Sequence, residues 1–190
     1  MIALEEGVIT PAESNRVWNG KSYPVQAWNH DQNLSSAMSD SVNWYFQRLD
    51  QATGRKKLEN YFASIGYGNE DFSGGLSSFW LESSLKISPV EQVQMLKAMN
   101  ENKLGFHKES TNAIKDVLFA GEHQGSKLYG KTGTGTVNGK DINGWFVGFV
   151  VQADNTYYFA VNVQDENGKA NGRSAMKIAK QILRDKHIYD

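Results

Sequence analysis

Apolar residues in the first two thirds of the chain recur every three or four positions, the spacing of an amphipathic helix. This spacing predicts helices over residues 34–54, 54–66, 88–105 and 108–122. Gly66 is expected to close the second helix, and Ser88 and Glu91 form a capping box at the start of the third. The opening residues read as the last turn of another helix, which ends at Gly7.

The period then changes from 3.6 to 2 residues, which predicts three strands over residues 127–137, 144–152 and 156–164. Asn138-Gly139 and residues 153–155 are expected to be the turns between them. A final helix follows over residues 173–189. Helices followed by an antiparallel meander and a terminal helix indicate an α+β fold, with the sheet packed against helices. We expect residues 1–190 to form a single domain.

Composition and charge exclude several functional classes. The chain has 190 residues, of which 20 are basic and 21 acidic, so neither nucleic acid nor a membrane surface is an expected partner. It contains no cysteine, which excludes disulfides, thiolate catalysis and cysteine-bound metals. Its four histidines have no ligand-like spacing, so no metal site is predicted. No apolar run is long enough to span a bilayer, and the first residues do not form a signal peptide.

The stretch GSKLYGKTGTGTV, from Gly125 to Val137, is the richest in candidate chemistry. Its first eight residues match a phosphate-binding P-loop, but that loop requires a helix to start at Lys131, and a hairpin follows instead. A flexible linker is also excluded, because the stretch lies between apolar residues. Two interpretations are left open: an edge strand with incidental glycines, or a strand that directs Lys131 at a ligand lying against Gly133.

Two further motifs accompany a Lys-Thr-Gly strand in penicillin-recognising acyl-transfer enzymes, namely Ser-x-x-Lys and a Ser-x-Asn triplet. Ser41-Val42-Asn43 supplies the triplet. Its alternative interpretation is structural, as the first turn of a helix capped by Ser39, Asp40 or Ser41.

The chain resembles class D β-lactamases and the related β-lactam sensor domains of Gram-positive resistance signalling proteins. Nearly the whole chain is involved, and the matching segments occur in the family's order: AWNHDQNLSSAMSDSVNWYFQ, YGN, SGGLSSFWLESSLKIS, GKTGTG and NGWFVGFV. The resemblance implies a β-lactamase/transpeptidase-like sandwich with the active site between the helices and the Lys-Thr-Gly strand. It implies a serine β-lactamase that hydrolyses β-lactam antibiotics through an acyl-enzyme, or alternatively a sensor that is acylated and not turned over.

The resemblance also assigns roles near the reacting bond. Ser41 resembles the serine that relays a proton beside the nucleophile, and Lys131 resembles the ammonium that holds this serine. Trp80 resembles the indole that bonds a carboxylated lysine, the general base of class D enzymes. Leu81 would shield that base from water.

Other residues are assigned to substrate binding by the same resemblance. Thr132 would bond the antibiotic carboxylate, and Arg173 would grip the same group with its planar guanidinium. The Thr134 N–H would form half of an oxyanion hole, while Gly133 would let the substrate approach the strand. Asn43 belongs to this set as the last residue of the triplet. For Arg173 the alternative is a solvated arginine at the start of a helix.

Two departures qualify the resemblance. Class D enzymes usually carry Ser-x-Val, and Ser-x-Asn is more typical of the sensors. The segment around Trp80 and the end of the chain favour the enzymes, and hydrolysis is our first interpretation. The Ser-x-x-Lys segment is expected just before Met1. We therefore expect the N-terminal part of the domain to lie outside this chain and to complement it. A CO2-derived lysine carbamate is expected on that segment.

Formal Ser-x-x-Lys matches at Ser83–Lys86 and Ser174–Lys177 lie outside the family's order and are interpreted as chance. No cofactor other than the lysine carbamate is expected. By the same resemblance, the domain is expected on the extracellular or cell-surface side of a bacterium.

Overall fold

The computed structural model describes residues 1–189 as an α+β structure. Its helices are α1 (Ile2–Glu5), α2 (Leu34–Ser39), α3 (Asn43–Thr53), α4 (Arg55–Ile65), α5 (Pro89–Asn100), α6 (Lys108–Leu118) and α7 (Gly172–Asp185), with a 3-10 turn at Gln26–Trp28. Its strands are β1 (Phe119–His123), β2 (Ser126–Val137), β3 (Lys140–Gln152), β4 (Asn155–Gln164) and β5 (Lys169–Ala170).

The strands form one sheet in the order β1-β2-β3-β4, in which all neighbours are antiparallel, and β5 pairs in parallel with β3. Side chains of one face, such as Tyr129 and Phe149, pack with the helices that precede the sheet. Side chains of the other face, such as Leu128 and Phe146, pack with α7. The predicted packing of an antiparallel sheet against helices is therefore confirmed, with the sheet between two helical layers.

The helix ends and the hairpin turn that were predicted from local sequence are present in the structure. Ser88 accepts a hydrogen bond from the Glu91 N–H at 3.2 Å, and the Glu91 carboxylate accepts one from the Ser88 N–H at 2.7 Å. Gly66 closes α4 in the left-handed conformation, with φ of 62°. The turn residues Asn138 and Gly139 both have positive φ, as a tight hairpin requires.

Four predicted helices differ from the structure, and two of them are only shorter than predicted: α5 ends at Asn100 and α7 at Asp185. The helix predicted over residues 34–54 is two helices, α2 and α3, because Ser41 between them adopts a left-handed backbone with φ of 54°. The helix predicted over residues 108–122 ends at Leu118, and the next residues form β1 on the edge of the sheet. Strands β1 and β5 were not predicted. Within residues 1–189, no helix has both the length and the apolar character required to cross a membrane.

Candidate active site

Strand β2 presents different side chains to the two layers that cover the sheet. Successive side chains of a strand point to opposite faces. Lys131 points toward the helices, where its ammonium contacts Ser41. Thr132 and Thr134 point toward α7, where they contact Gly172. The one strand therefore contributes to both sides of the candidate site, and the P-loop interpretation is wrong because Lys131 lies within a strand.

Lys131 and Ser41 form the centre of the site. The Lys131 Nζ donates a hydrogen bond of 2.5 Å to the Ser41 Oγ. Burial lowers the pKa of Lys131 below its ordinary value, and the carboxylate of Asp40 partly opposes this effect. A lysine with a lowered pKa exchanges protons more readily at neutral pH, which suits a relay between ammonium and hydroxyl.

The capping interpretation of Ser41 is wrong. Val42 is the N-cap of α3, and no side chain caps that helix. The Ser41 hydroxyl is directed at Lys131 instead. Asn43, the third residue of the triplet, is the first residue of α3 and is half-buried.

One edge of β2 is open along the Lys-Thr-Gly segment. Strand β1 pairs with β2 only over Ser126–Tyr129, while β3 pairs with β2 from Lys127 to Val137. Beyond Tyr129, the other edge of β2 has no strand partner among the described residues. An open edge offers backbone N–H and C=O groups to a ligand. Thr132 and Gly133 lie half-buried along this edge, and Thr134 is exposed.

Helix α7 begins directly against this strand. A Cβ atom on Gly172 would lie 2.8 Å from both the Gly133 carbonyl oxygen and the Thr132 Cβ, so only glycine allows this approach. The Gly172 N–H donates a hydrogen bond of 3.0 Å to the Thr134 Oγ1. The exposed Arg173 follows at once in the first turn of the helix. The structure thus places an arginine and a helix N-terminus beside the Lys-Thr-Gly strand, where both favour an anion.

The loop that carries Trp80 and Leu81 lies on the side of the candidate site that is formed by the helices preceding the sheet. The Trp80 Nε1 donates a hydrogen bond of 2.8 Å to the Asp50 Oδ2 on α3. Burial raises the pKa of Asp50 to about 6, although the indole hydrogen bond acts in the opposite direction. Leu81 is 36% exposed. Asp50 was not predicted as a site residue. Its only signal in the sequence is its position as an acidic residue next to Leu49, on the buried side of an amphipathic helix.

An apolar cavity of about 470 Å³ adjoins Asp50 and Trp80. Its wall consists mainly of side chains from α1, α3, α4 and α5, including Leu4, Phe46 and Phe62. Thr53, which also lines it, has a buried hydroxyl without a hydrogen-bond partner.

The two formal Ser-x-x-Lys matches are engaged elsewhere. Lys86 forms an ion pair with Glu82 at 3.4 Å, and the Ser174 hydroxyl donates to the Asn171 side chain at 3.2 Å, at the start of α7. Lys177 is exposed. Neither match supplies a serine and lysine that face each other in the site.

Comparison with known proteins identifies the family. A sequence profile described as the penicillin binding protein transpeptidase domain matches residues 1–184. The regulatory protein BlaR1 of Bacillus licheniformis is 48% identical over 189 residues, which cover 100% of this chain and 31% of BlaR1. The chain therefore spans about a third of the length of this relative.

Solved structures agree with the sequence comparison. The C-terminal domain of the Bacillus licheniformis BlaR penicillin-receptor superposes with a TM-score of 0.94 at 48% identity, covering 100% of this chain and 76% of that domain. The class D β-lactamase BAT-2 superposes with a TM-score of 0.92 at 35% identity, covering 100% of this chain and 77% of that enzyme. The chain belongs to the family of penicillin-binding protein transpeptidase domains, and it is similar to both a β-lactam sensor domain and class D β-lactamases.

Proposed function

We propose that this chain is the β-lactam-binding part of a sensor, which the antibiotic acylates and which retains the acyl group. The 48% identity to BlaR1 over the whole chain supports this function, as does the 0.94 TM-score with the BlaR penicillin-receptor domain. Hydrolysis, the first interpretation from sequence, is supported less well. The Ser-x-Asn triplet ending at Asn43 also favours a sensor.

The hydrogen bond between Lys131 and Ser41 is the structural observation that most strongly supports acylation by a β-lactam. Acyl transfer to a serine requires a group that accepts a proton and returns it to the leaving nitrogen. A hydroxyl held at 2.5 Å from a lysine whose pKa is lowered by burial is suited to this relay. In this arrangement Ser41 assists the transfer and does not attack the antibiotic.

The Lys-Thr-Gly strand and the start of α7 are suited to hold the rest of a β-lactam. The antibiotic carboxylate would lie between the Thr132 hydroxyl and the Arg173 guanidinium, since Gly172 brings these two elements together. Gly133 would let the ring approach the open edge of β2. The Thr134 N–H would then stabilise the negative oxygen of the tetrahedral intermediate, a contribution of a few kcal/mol to the barrier.

We infer that a segment outside residues 1–190 supplies the attacking serine and its lysine. The solved BlaR domain is longer, because this chain covers 76% of it, and the cavity beside Trp80 provides an apolar surface for such a segment. The Trp80 N–H is a suitable donor for a lysine carbamate in these apolar surroundings. In this structure the donor is held by Asp50, so a carbamate would have to compete with that carboxylate. When bound, the carbamate would supply a general base.

A second candidate function is hydrolysis, which the superposition on the class D β-lactamase BAT-2 favours. Both functions use the same recognition and acylation steps. They differ in deacylation, which is fast in an enzyme and slow in a sensor.

We further propose that the domain faces the outside of a bacterial cell. A receptor for a β-lactam in the medium meets its ligand there before the antibiotic reaches any interior compartment. Protease treatment of intact cells, followed by detection of the domain, tests this placement: loss of the domain supports it, and full protection contradicts it.

Nitrocefin kinetics separate the two functions. The protein that contains this domain, together with the segment that supplies the nucleophile, is mixed with excess nitrocefin, and the coloured product is followed. A sensor gives a burst of one equivalent and then almost no product. Steady turnover after the burst would establish hydrolysis, and the absence of any burst would contradict β-lactam acylation altogether.

A further inference from the structure

Glu82 connects the loop of Trp80 and Leu81 to the central sheet. The Glu82 Oε2 accepts a hydrogen bond of 2.8 Å from the Asn143 Nδ2 on β3. Its Oε1 accepts one of 3.4 Å from Lys86, so both carboxylate oxygens are engaged. The side chain is only 18% exposed. Glu82 therefore forms a side-chain link between this loop and the strand next to β2.

Strand β2 leaves space for the Glu82 carboxylate at Gly135. Gly135 pairs with Asn143 across β2 and β3, and the register shifts immediately after it, which indicates a β-bulge. A Cβ atom on Gly135 would lie 2.1 Å from the Glu82 Oε2. A Cβ atom on Gly133, two residues earlier on the strand, would meet only the Trp145 Cβ at 3.6 Å, an ordinary contact. The missing side chain at Gly135 therefore makes room specifically for Glu82.

The partner on β3 is itself held in place. The Asn143 Oδ1 accepts a hydrogen bond of 2.6 Å from the Asn162 Nδ2 on β4, and the Asn162 Oδ1 accepts one of 3.0 Å from the Gln164 Nε2. The chain of amides fixes the orientation of Asn143, so that its N–H faces Glu82. Glu82 also has a left-handed backbone, with φ of 45°, which a non-glycine residue retains only where its surroundings hold it.

We propose that Glu82 is a positioning residue, which fixes Trp80 and Leu81 relative to the Lys-Thr-Gly strand. Glu82 does not touch the antibiotic and acts through the two residues that precede it. This inference rests on the proposed function for its kinetic readout, but the position of the loop can be measured independently. Because a misplacement of about 1 Å can cost a hundredfold in rate, loss of the link should slow the chemical step of acylation much more than it weakens binding.

The first test compares Glu82→Ala with Glu82→Gln in the protein that contains this domain. Glutamine can still accept the Asn143 hydrogen bond, and alanine cannot. We expect Glu82→Ala to lower the first-order acylation constant about tenfold or more. Glu82→Gln should stay within about threefold, and the dissociation constant of the initial penicillin complex should change little in either variant. Thermal unfolding of each variant identifies effects that come from misfolding.

The second test is a double-mutant cycle with Gly135→Ala. The added methyl group should displace the Glu82 carboxylate and slow acylation as Glu82→Ala does. In the Glu82→Ala background, the same methyl group should have an effect of less than about twofold, because its main clash is gone. Glu122→Gln, on the exposed β1 strand, is the control and should acylate at the normal rate.

Hydrogen exchange of backbone amides 78–86 provides the independent readout. We expect faster exchange in Glu82→Ala and Gly135→Ala than in the natural protein or in Glu122→Gln. If the natural protein is not acylated, the proposed function fails, and exchange alone decides the role of Glu82. Unchanged exchange in Glu82→Ala, an acylation constant within twofold of normal, or fully additive effects in the cycle would overturn the inference.

Discussion

The Lys131 Nζ lies 2.5 Å from the Ser41 Oγ, although the two residues are 90 positions apart in the chain. Ser41 lies in the break between α2 and α3, where its backbone has φ of 54°. A left-handed non-glycine residue costs on the order of 1–3 kcal/mol, so its surroundings must hold it. The completely buried Ala37 and Val42 flank the break, and their backbones are joined by a hydrogen bond of 2.9 Å. The break in the helix therefore directs the serine hydroxyl at the strand lysine.

Replacing Lys131 by alanine should abolish β-lactam acylation. The substitution removes the ammonium that holds Ser41, and within residues 1–189 no other side chain forms a hydrogen bond with the Ser41 hydroxyl. Labelling with a fluorescent penicillin measures the effect. Lys127→Ala, which removes an exposed lysine from the same strand, is the matched control and should label normally. Normal labelling of Lys131→Ala would remove Lys131 from the site.

Replacing Arg173 by alanine should weaken the recognition of β-lactams that carry a carboxylate. Losing a hydrogen bond to a charged group costs about 1.5–3 kcal/mol, which corresponds to a loss of roughly 10- to 150-fold in the second-order acylation constant. Lys177→Ala, which removes another exposed cation from α7, is the control. A change of less than about twofold in Arg173→Ala would identify Arg173 as an ordinary solvated residue at the start of a helix.

Asp50 should make the stability of the fold depend on pH. Burial raises its pKa from 3.8 to about 6, so the folded protein binds this proton more tightly than the unfolded chain. The resulting stabilisation is complete below pH 3.8 and is lost as the pH rises through 6. Asp50→Asn keeps an acceptor for Trp80 but removes the charge, and it should gain on the order of 2–3 kcal/mol relative to the natural protein between pH 4 and pH 7.

Urea unfolding of both proteins at several pH values measures this difference. A constant difference in unfolding free energy between the two proteins from pH 4 to pH 7 would show that Asp50 is not perturbed.

Residues 1–190 alone should form no covalent adduct with benzylpenicillin. Acylation requires a nucleophile activated by an adjacent base, and we assign Ser41 the role of assisting group. Ser83 and Ser174 belong to chance matches, whose lysines face elsewhere. Intact-mass spectrometry after incubation with the antibiotic tests this prediction. A stoichiometric adduct mapped to any of these three serines would identify a different nucleophile.

The sequence predicted those parts of the fold that depend on local interactions. The capping box of Ser88 and Glu91 and the closing glycine of α4 are formed by residues within one helical turn, so their spacing alone predicts them. The alternation along β2 likewise predicted that Lys131 would project from one face. The resemblance to a known family then indicated Ser41 as its partner, and in the structure the two side chains form a hydrogen bond.

The remaining features depend on contacts between distant segments. The apolar spacing continues from Met38 through Val42, so the pattern did not reveal the break at Ser41, which depends on tertiary packing. Asp50 meets Trp80 across 30 positions, and Glu82 meets Asn143 across 61. No local pattern predicts which buried carboxylate will meet which loop, and these two residues were identified only in the structure.

The lifetime of the acyl group distinguishes a sensor from an enzyme. The protein that contains this domain and its nucleophile segment is mixed with an equimolar amount of benzylpenicillin, and intact mass is recorded over several hours. We predict one adduct per molecule that persists throughout, on a serine outside residues 1–190. Rapid return to the unmodified mass, with penicilloic acid accumulating in solution, would contradict the assignment as a sensor.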